Sequence, residues 1–306
     1  MSQAQGSYYL PSPSHWPLTG SIAFFFLLGG FANALTSADP QTGELGTFIP
    51  MYIGLAILIF MLFGWFGTVV RESEAGKYNA QVDVSFRMGM MWFIFSEVMF
   101  FAAFFGALFY ARNFSVPWLA GEGNNVLTHM DLWNNFKDVW PLLESPRHTN
   151  PETMLSGIRE FSKPESIIDP WHIPAINTLI LLTSGVTVTF AHWALKKAQR
   201  PQLIFWLFAT VALGFIFVYL QIDEYGEAYE SGLKLTSGIY GSTFFMLTGF
   251  HGFHVTMGAV ILTVIMFRAI KGHFTEKHHF AFEAAAWYWH FVDVVWLGLF
   301  IFVYIL

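Results

Sequence analysis

The chain has 306 residues, 55% hydrophobic and 12% charged, with 35 Phe and no Cys. The charged share is about half that of an ordinary soluble domain, and a chain this size cannot hide so much apolar surface in one aqueous core, so a soluble globular fold is excluded. A net charge of -6 with 15 basic residues argues against nucleic acid as a partner, and the lack of Cys excludes disulfides, iron–sulfur clusters and thiolate metal sites.

What remains is an all-α polytopic membrane protein. The first 20 residues hold no Lys or Arg and are broken by Pro11, Pro13 and Pro17, unlike a secretory signal. A helix needs about 20 apolar residues to cross ~30 Å of hydrocarbon. Seven segments meet that requirement: 17–35, 48–70, 88–110, 173–195, 202–222, 238–267 and 280–306. The sixth is long enough to tilt or to project beyond the bilayer.

The short connections are sorted by charge. Arg71, Lys77 and Arg87 follow the second span; Lys196, Lys197 and Arg200 follow the fourth; Arg268, Lys271 and Lys277 follow the sixth. Residues 36–47 have no basic residue and 223–237 have only Lys234, which leaves nine on one side against one on the other. The positive-inside bias therefore predicts a cytoplasmic N-terminus and an extracytoplasmic C-terminus. The long connection at about 111–168 reads as an extracytoplasmic insert. It carries an apolar-periodic patch from Leu127 to Leu143, which predicts a short amphipathic helix. Asp223, Glu224, Glu227 and Glu230 add an acidic cluster on that side, suited to steering a basic soluble partner.

Ionisable groups within spans are expensive and need a partner or a purpose. Glu97 lies nine residues from Met88, ~14 Å along the third span and so near the midplane. It reads as a neutral, hydrogen-bonded carboxyl, as a proton-relay group, or as a polar contact in a lipid or substrate cleft. His251 and His254 are three residues apart on the sixth span, as are His290 and Asp293 on the seventh, which also holds Glu283. The expectation is a buried polar cluster of His251, His254, Glu283, His290 and Asp293, with no metal bound. Arg71 and Arg268 end spans on the basic side. They read either as snorkelling anchors or as ligands of a phospholipid headgroup, which Arg suits through paired hydrogen bonds.

The stretch from Gly249 to Tyr304 contains Gly-Phe-His-Gly-Phe-His-Val, and then His-His-Phe-Ala-Phe-Glu-Ala-Ala-Ala-Trp-Tyr-Trp-His-Phe-Val-Asp-Val-Val-Trp-Leu. With Phe-Ser-Glu-Val-Met-Phe-Phe around Glu97 and Asp169-Pro170-Trp171-His172, it resembles subunit III of cytochrome c oxidase, in the haem–copper terminal oxidase family. The resemblance spans all seven segments and omits most of the insert. It implies seven transmembrane helices, with helices one and two (1–72) separated from three to seven (73–306) by a lipid-filled cleft. It implies a subunit with no catalytic residue and no cofactor of its own, the haem and copper being held by partner subunits. It implies subunits I and II as partners, cytochrome c as the electron donor to the complex, and structural phospholipids bound at Arg71, Glu97, Arg268 and His273. Support of proton uptake, protection of the catalytic subunit and a border on an oxygen route are implied too. Trp65-Phe66 stands where many relatives have tandem Trp. The insert suggests a bacterial inner membrane. A quinol oxidase subunit III and an independent proton channel or transporter acting through Glu97 are the alternative readings; seven spans favour the cytochrome c branch.

Overall fold

The computed structural model describes residues 12–38, 44–146 and 163–306. Among the described residues every regular element is helical, and seven helices are long and apolar enough to cross a membrane. The chain divides into two compact units, residues 1–86 and 87–306, and the boundary falls within the third long helix.

The first unit is a helical hairpin of α1 (Trp16–Thr36) and α2 (Ile49–Glu74). Pro occupies the first turn of each, where its missing N–H costs nothing and its fixed φ suits a helix. The two helices meet through small residues. A Cβ on Gly54 would stand 2.7 Å from the Leu27 Cα, and one on Gly30 would stand 2.9 Å from the Met51 Cα. Only glycine allows the backbones so close, and that approach replaces the hydrophobic drive that lipid cannot supply. The Trp16 indole caps the far end of the hairpin, donating to Thr68 Oγ1 at 3.4 Å.

The third helix, α3 (Ala80–Tyr110), continues through a π turn at Ala111–Ser115 into α4 (Val116–Leu119). It is longer than the expected 88–110 at both ends. The Asn79 side chain accepts the Val82 N–H at 3.0 Å, an N-terminal cap that starts the helix before its charged residues end. In the insert, α5 (Val126–Leu132) covers only the first part of the expected amphipathic patch. Beyond it the chain is irregular, as Asn134, Asn135 and Pro141 would predict, yet Phe136 and Leu142 are buried against the core of the second unit. The part of the insert at 147–162 lies outside the described residues.

The rest of the second unit is α6 (Ile173–Lys196), α7 (Arg200–Glu230), α8 (Ile239–Lys271) and α9 (Phe280–Leu299), the last ending in a π-helical turn at Phe300–Ile305. Each packs on its neighbour in sequence, and α9 returns to α6. The core sits on α9, where Trp289 and Trp296 are fully buried. Buried indoles need an acceptor, and these donate to Ser184 Oγ at 2.9 Å and Thr178 Oγ1 at 2.8 Å on α6. Hydroxyl pairs pin the other seams: Thr187 to Thr210 between α6 and α7 at 2.8 Å, and Tyr225 to Thr248 between α7 and α8 at 2.7 Å. Glycines 214 and 258 make room for Trp289, whose ring stands 2.7 Å from where either Cβ would sit.

Candidate functional site

The polar residues expected as one buried cluster fall into four separate contacts. The first joins α3 to α8. Glu97 Oε2 lies 2.9 Å from His254 Nε2, with side-chain exposures of 22% and 9%. The other imidazole nitrogen, Nδ1, lies 2.6 Å from the Phe250 carbonyl one turn back, which fixes the ring. That carbonyl only accepts, so Nδ1 carries a hydrogen. Nε2 then faces the carboxyl at hydrogen-bond distance. Phe100, Phe101 and Tyr288 close around the imidazole. This is how a carboxyl is kept in an apolar span: a partner, a fixed tautomer and an aromatic shell.

The second contact lies at the basic end of the unit. Arg87 on α3 is ion-paired to Glu283 Oε2 in the first turn of α9, and its guanidinium lies 4.9 Å from the centre of the Phe280 ring. Glu283 Oε1 faces two imidazoles: His279 Nε2 at 3.1 Å and His192 Nε2, from the last turn of α6, at 3.6 Å. His279 Nδ1 lies 3.0 Å from the Thr275 carbonyl. The ligand atoms of His192, His279 and Glu283 all lie within 4.8 Å of one another.

The third is His251, buried on α8 between the rings of Phe217 and Trp296, with Nε2 3.2 Å from the Val292 carbonyl. It belongs to helix packing. The fourth is His290 with Asp293, 3.5 Å apart on α9, where the carboxylate fills the notch left by Gly185 on α6. His290 itself is not buried: its side chain is 46% exposed, because position 290 falls on the edge of α9 away from the tryptophan seam. The separation follows from helix geometry. Residues three apart are rotated by about 60° around the axis, enough for His251 to face α9 while His254 faces α3.

Of the four residues expected at phospholipids, Glu97 is the one paired with His254, and the other three are divided between the two units. In the first, Arg71 is exposed at the end of α2, and its guanidinium donates to Thr68 Oγ1 at 3.0 Å. In the second, the Arg268 guanidinium lies 4.7 Å from the centre of the Phe274 ring, and the His273 N–H donates to the Arg268 carbonyl. Gly272 ends α8 there in the left-handed conformation, φ 80°, which glycine adopts without a Cβ penalty.

Two groups were not legible as site residues. Arg87 and His192 reach Glu283 across long sequence distances, and no spacing announces them. His279 had a signal, since it precedes Glu283 by four residues. Glu224 corrects the acidic outer cluster. It is fully buried, accepting from Tyr304 Oη at 2.6 Å and Gln221 Nε2 at 3.1 Å, while Asp223, Glu227 and Glu230 are exposed. Positions 221, 224 and 228 share one face of α7, so the 3.6-residue period decides against the surface reading.

Comparison with known proteins places this arrangement. A family model described as cytochrome c oxidase subunit III matches residues 6–121 and 160–306. The unmatched stretch between them lies inside the insert. Proteins named cytochrome c oxidase subunit 3 from Tetraodon nigroviridis, Latimeria chalumnae and Dugong dugon are each 38% identical to this chain over 305 residues, covering 99% of it and 98% of the relative.

Proposed function

Given that the chain belongs to the cytochrome c oxidase subunit III family, we propose that it is a non-redox integral subunit of an aerobic oxidase that passes electrons from cytochrome c to O2. In this reading it packs beside subunits I and II, which hold the haem and copper, and it lends them stability, proton supply and an oxygen-permeable flank. Phospholipid headgroups are the ligands of Arg71 in the first unit and of Arg268 and His273 in the second. The basic short loops face the cytoplasm or its equivalent compartment. The expectation of a bacterial membrane gains no support from these vertebrate relatives.

The observation that carries the reading is the Glu97–His254 pair. A carboxyl and an imidazole 2.9 Å apart in an aromatic shell can exchange a proton. The pair fits a proton-handling and stabilising role. The test is Glu97→Gln in the assembled complex. Initial oxygen reduction should stay within about twofold of wild type, while the enzyme loses activity faster over repeated turnovers. Complete loss of oxygen reduction in a fully assembled complex would refute the supporting role.

A further inference from the structure

Away from the polar contacts, the second unit holds a cavity of about 580 Å³ between the end of α3 and the end of α9. Phe105, Gly106 and Phe109 line one side, Gly298 and Phe302 the other, and Arg112 stands at its mouth. A Cβ on Gly106 would meet nothing within 4 Å, so the groove is open there. Each wall ends in a π turn, Ala111–Ser115 and Phe300–Ile305, and such turns recur at functional sites. Depth along α3 says what the mouth faces. Arg112 stands 25 residues beyond Arg87, ~37 Å along the helix, against ~30 Å of hydrocarbon. On the same turns Tyr110, Phe114 and Trp118 pack ring against ring, the kind of aromatic belt that marks a membrane–water boundary. The groove therefore begins at headgroup level and runs into acyl depth, with Phe105 ~10 Å below Arg112.

We propose that this groove retains a phospholipid of the leaflet opposite the basic turns, with its phosphodiester on Arg112 and one acyl chain between Phe105 and Phe302. The mouth fits a phosphate. Arg112 is half-buried, its guanidinium lies 6.0 Å from the centre of the Trp140 ring, and no carboxylate pairs with it among the described residues. A guanidinium presents the fork that takes two phosphate oxygens, and an aromatic ring beside it limits the orientations of that fork. Asn113 Nδ2 donates one hydrogen to the Phe109 carbonyl at 2.9 Å and keeps a second for the ligand. In a bilayer the anion available at that depth is the lipid phosphate. The inner part fits hydrocarbon. The Phe105 and Phe302 rings meet edge to face at 6.1 Å, and Phe105 Cζ lies 3.2 Å from where a Gly298 Cβ would sit, so the floor is phenyl surface. The site is separate from Arg268 and His273, which lie beside the basic turns at the other end of this unit, and it does not depend on the oxidase reading.

The experiment uses the full-length chain with whatever polypeptides copurify. The preparation is washed in detergent, reconstituted in phosphatidylcholine vesicles and extracted again, and the phospholipid retained per chain is counted by native mass spectrometry. Wild type is expected to keep about one phospholipid more than Arg112→Ala, which loses both hydrogen bonds to the phosphate. Gly106→Leu is expected to show the same loss, because its side chain takes the open space that the acyl chain needs while the guanidinium stays. Arg112→Ala combined with Arg268→Ala should lose the lipid of each site, so the two sites are read separately. Electron cryomicroscopy of the wild-type preparation decides the matter if a variant fails to fold: it should show a phosphate within hydrogen-bond distance of the Arg112 guanidinium and a chain running past Gly106. Equal retention in wild type, Arg112→Ala and Gly106→Leu, or a groove filled by detergent or by side chains of another polypeptide, overturns the proposal.

Discussion

At the scale of single residues, the chain handles intramembrane charge by pairing it. Glu97 and His254 illustrate the energetic consequence. Removing one partner leaves the other partly buried and unsatisfied, whereas removing both replaces a polar contact with packing. His254→Leu is expected to destabilise the folded chain by about 3 kcal/mol, at the low end for a broken buried pair because Glu97 keeps some exposure. The double replacement Glu97→Leu with His254→Leu should cost less than the two single costs added. Thermal unfolding of the four proteins in one detergent measures the coupling, and strictly additive costs would show that the pair contributes no coupling energy. Glu97 was recognisable from its apolar setting alone, but its partner was not. A depth along one helix says how far a group lies from the surface; only packing says which helix it meets.

At the scale of elements, the helices were legible because hydropathy and length are local properties. The seven expected spans all match observed helices, and their ends differ where charge misled. Arg87 and Asp83 look like loop residues, yet they sit inside α3 because helix formation tolerates charge that an adjacent group can satisfy. The insert misled in the other direction. Leu127, Met130, Trp133 and Trp140 suggest a single helix, but only Val126–Leu132 is helical, and the later aromatic residues pack individually on the core. The seams between helices depend on glycines whose importance no local pattern reveals. Gly258→Ala would drive its Cβ into the Trp289 ring and should cost about 1–3 kcal/mol. Gly252→Ala on the same helix meets nothing within 4 Å and should stabilise by a few tenths to about 1 kcal/mol through helix propensity. Melting temperatures of the two variants should therefore move in opposite directions. A fall for both would mean that helix α8 is limited by something other than Trp289.

At the scale of the whole molecule, the expected orientation rests on the ten basic residues of the short connections rather than on any motif. Because the chain has no Cys, single cysteines report on it without background. Ala75→Cys in the basic turn and Leu235→Cys in the opposite one should react with a membrane-impermeant maleimide from opposite faces of sealed vesicles. Labelling of both from the same face would reverse the charge-based orientation. Large apolar side chains point outward along α1, α2 and α3, as suits a surface that meets acyl chains or other subunits. His290 breaks that rule, half-exposed in the middle of α9 with only its edge on Asp293 and Thr189. An imidazole turned toward hydrocarbon keeps hydrogen-bonding capacity that the bilayer cannot satisfy. That edge of α9 is therefore the costliest part of the span to leave against acyl chains, a local polar spot on an otherwise apolar surface.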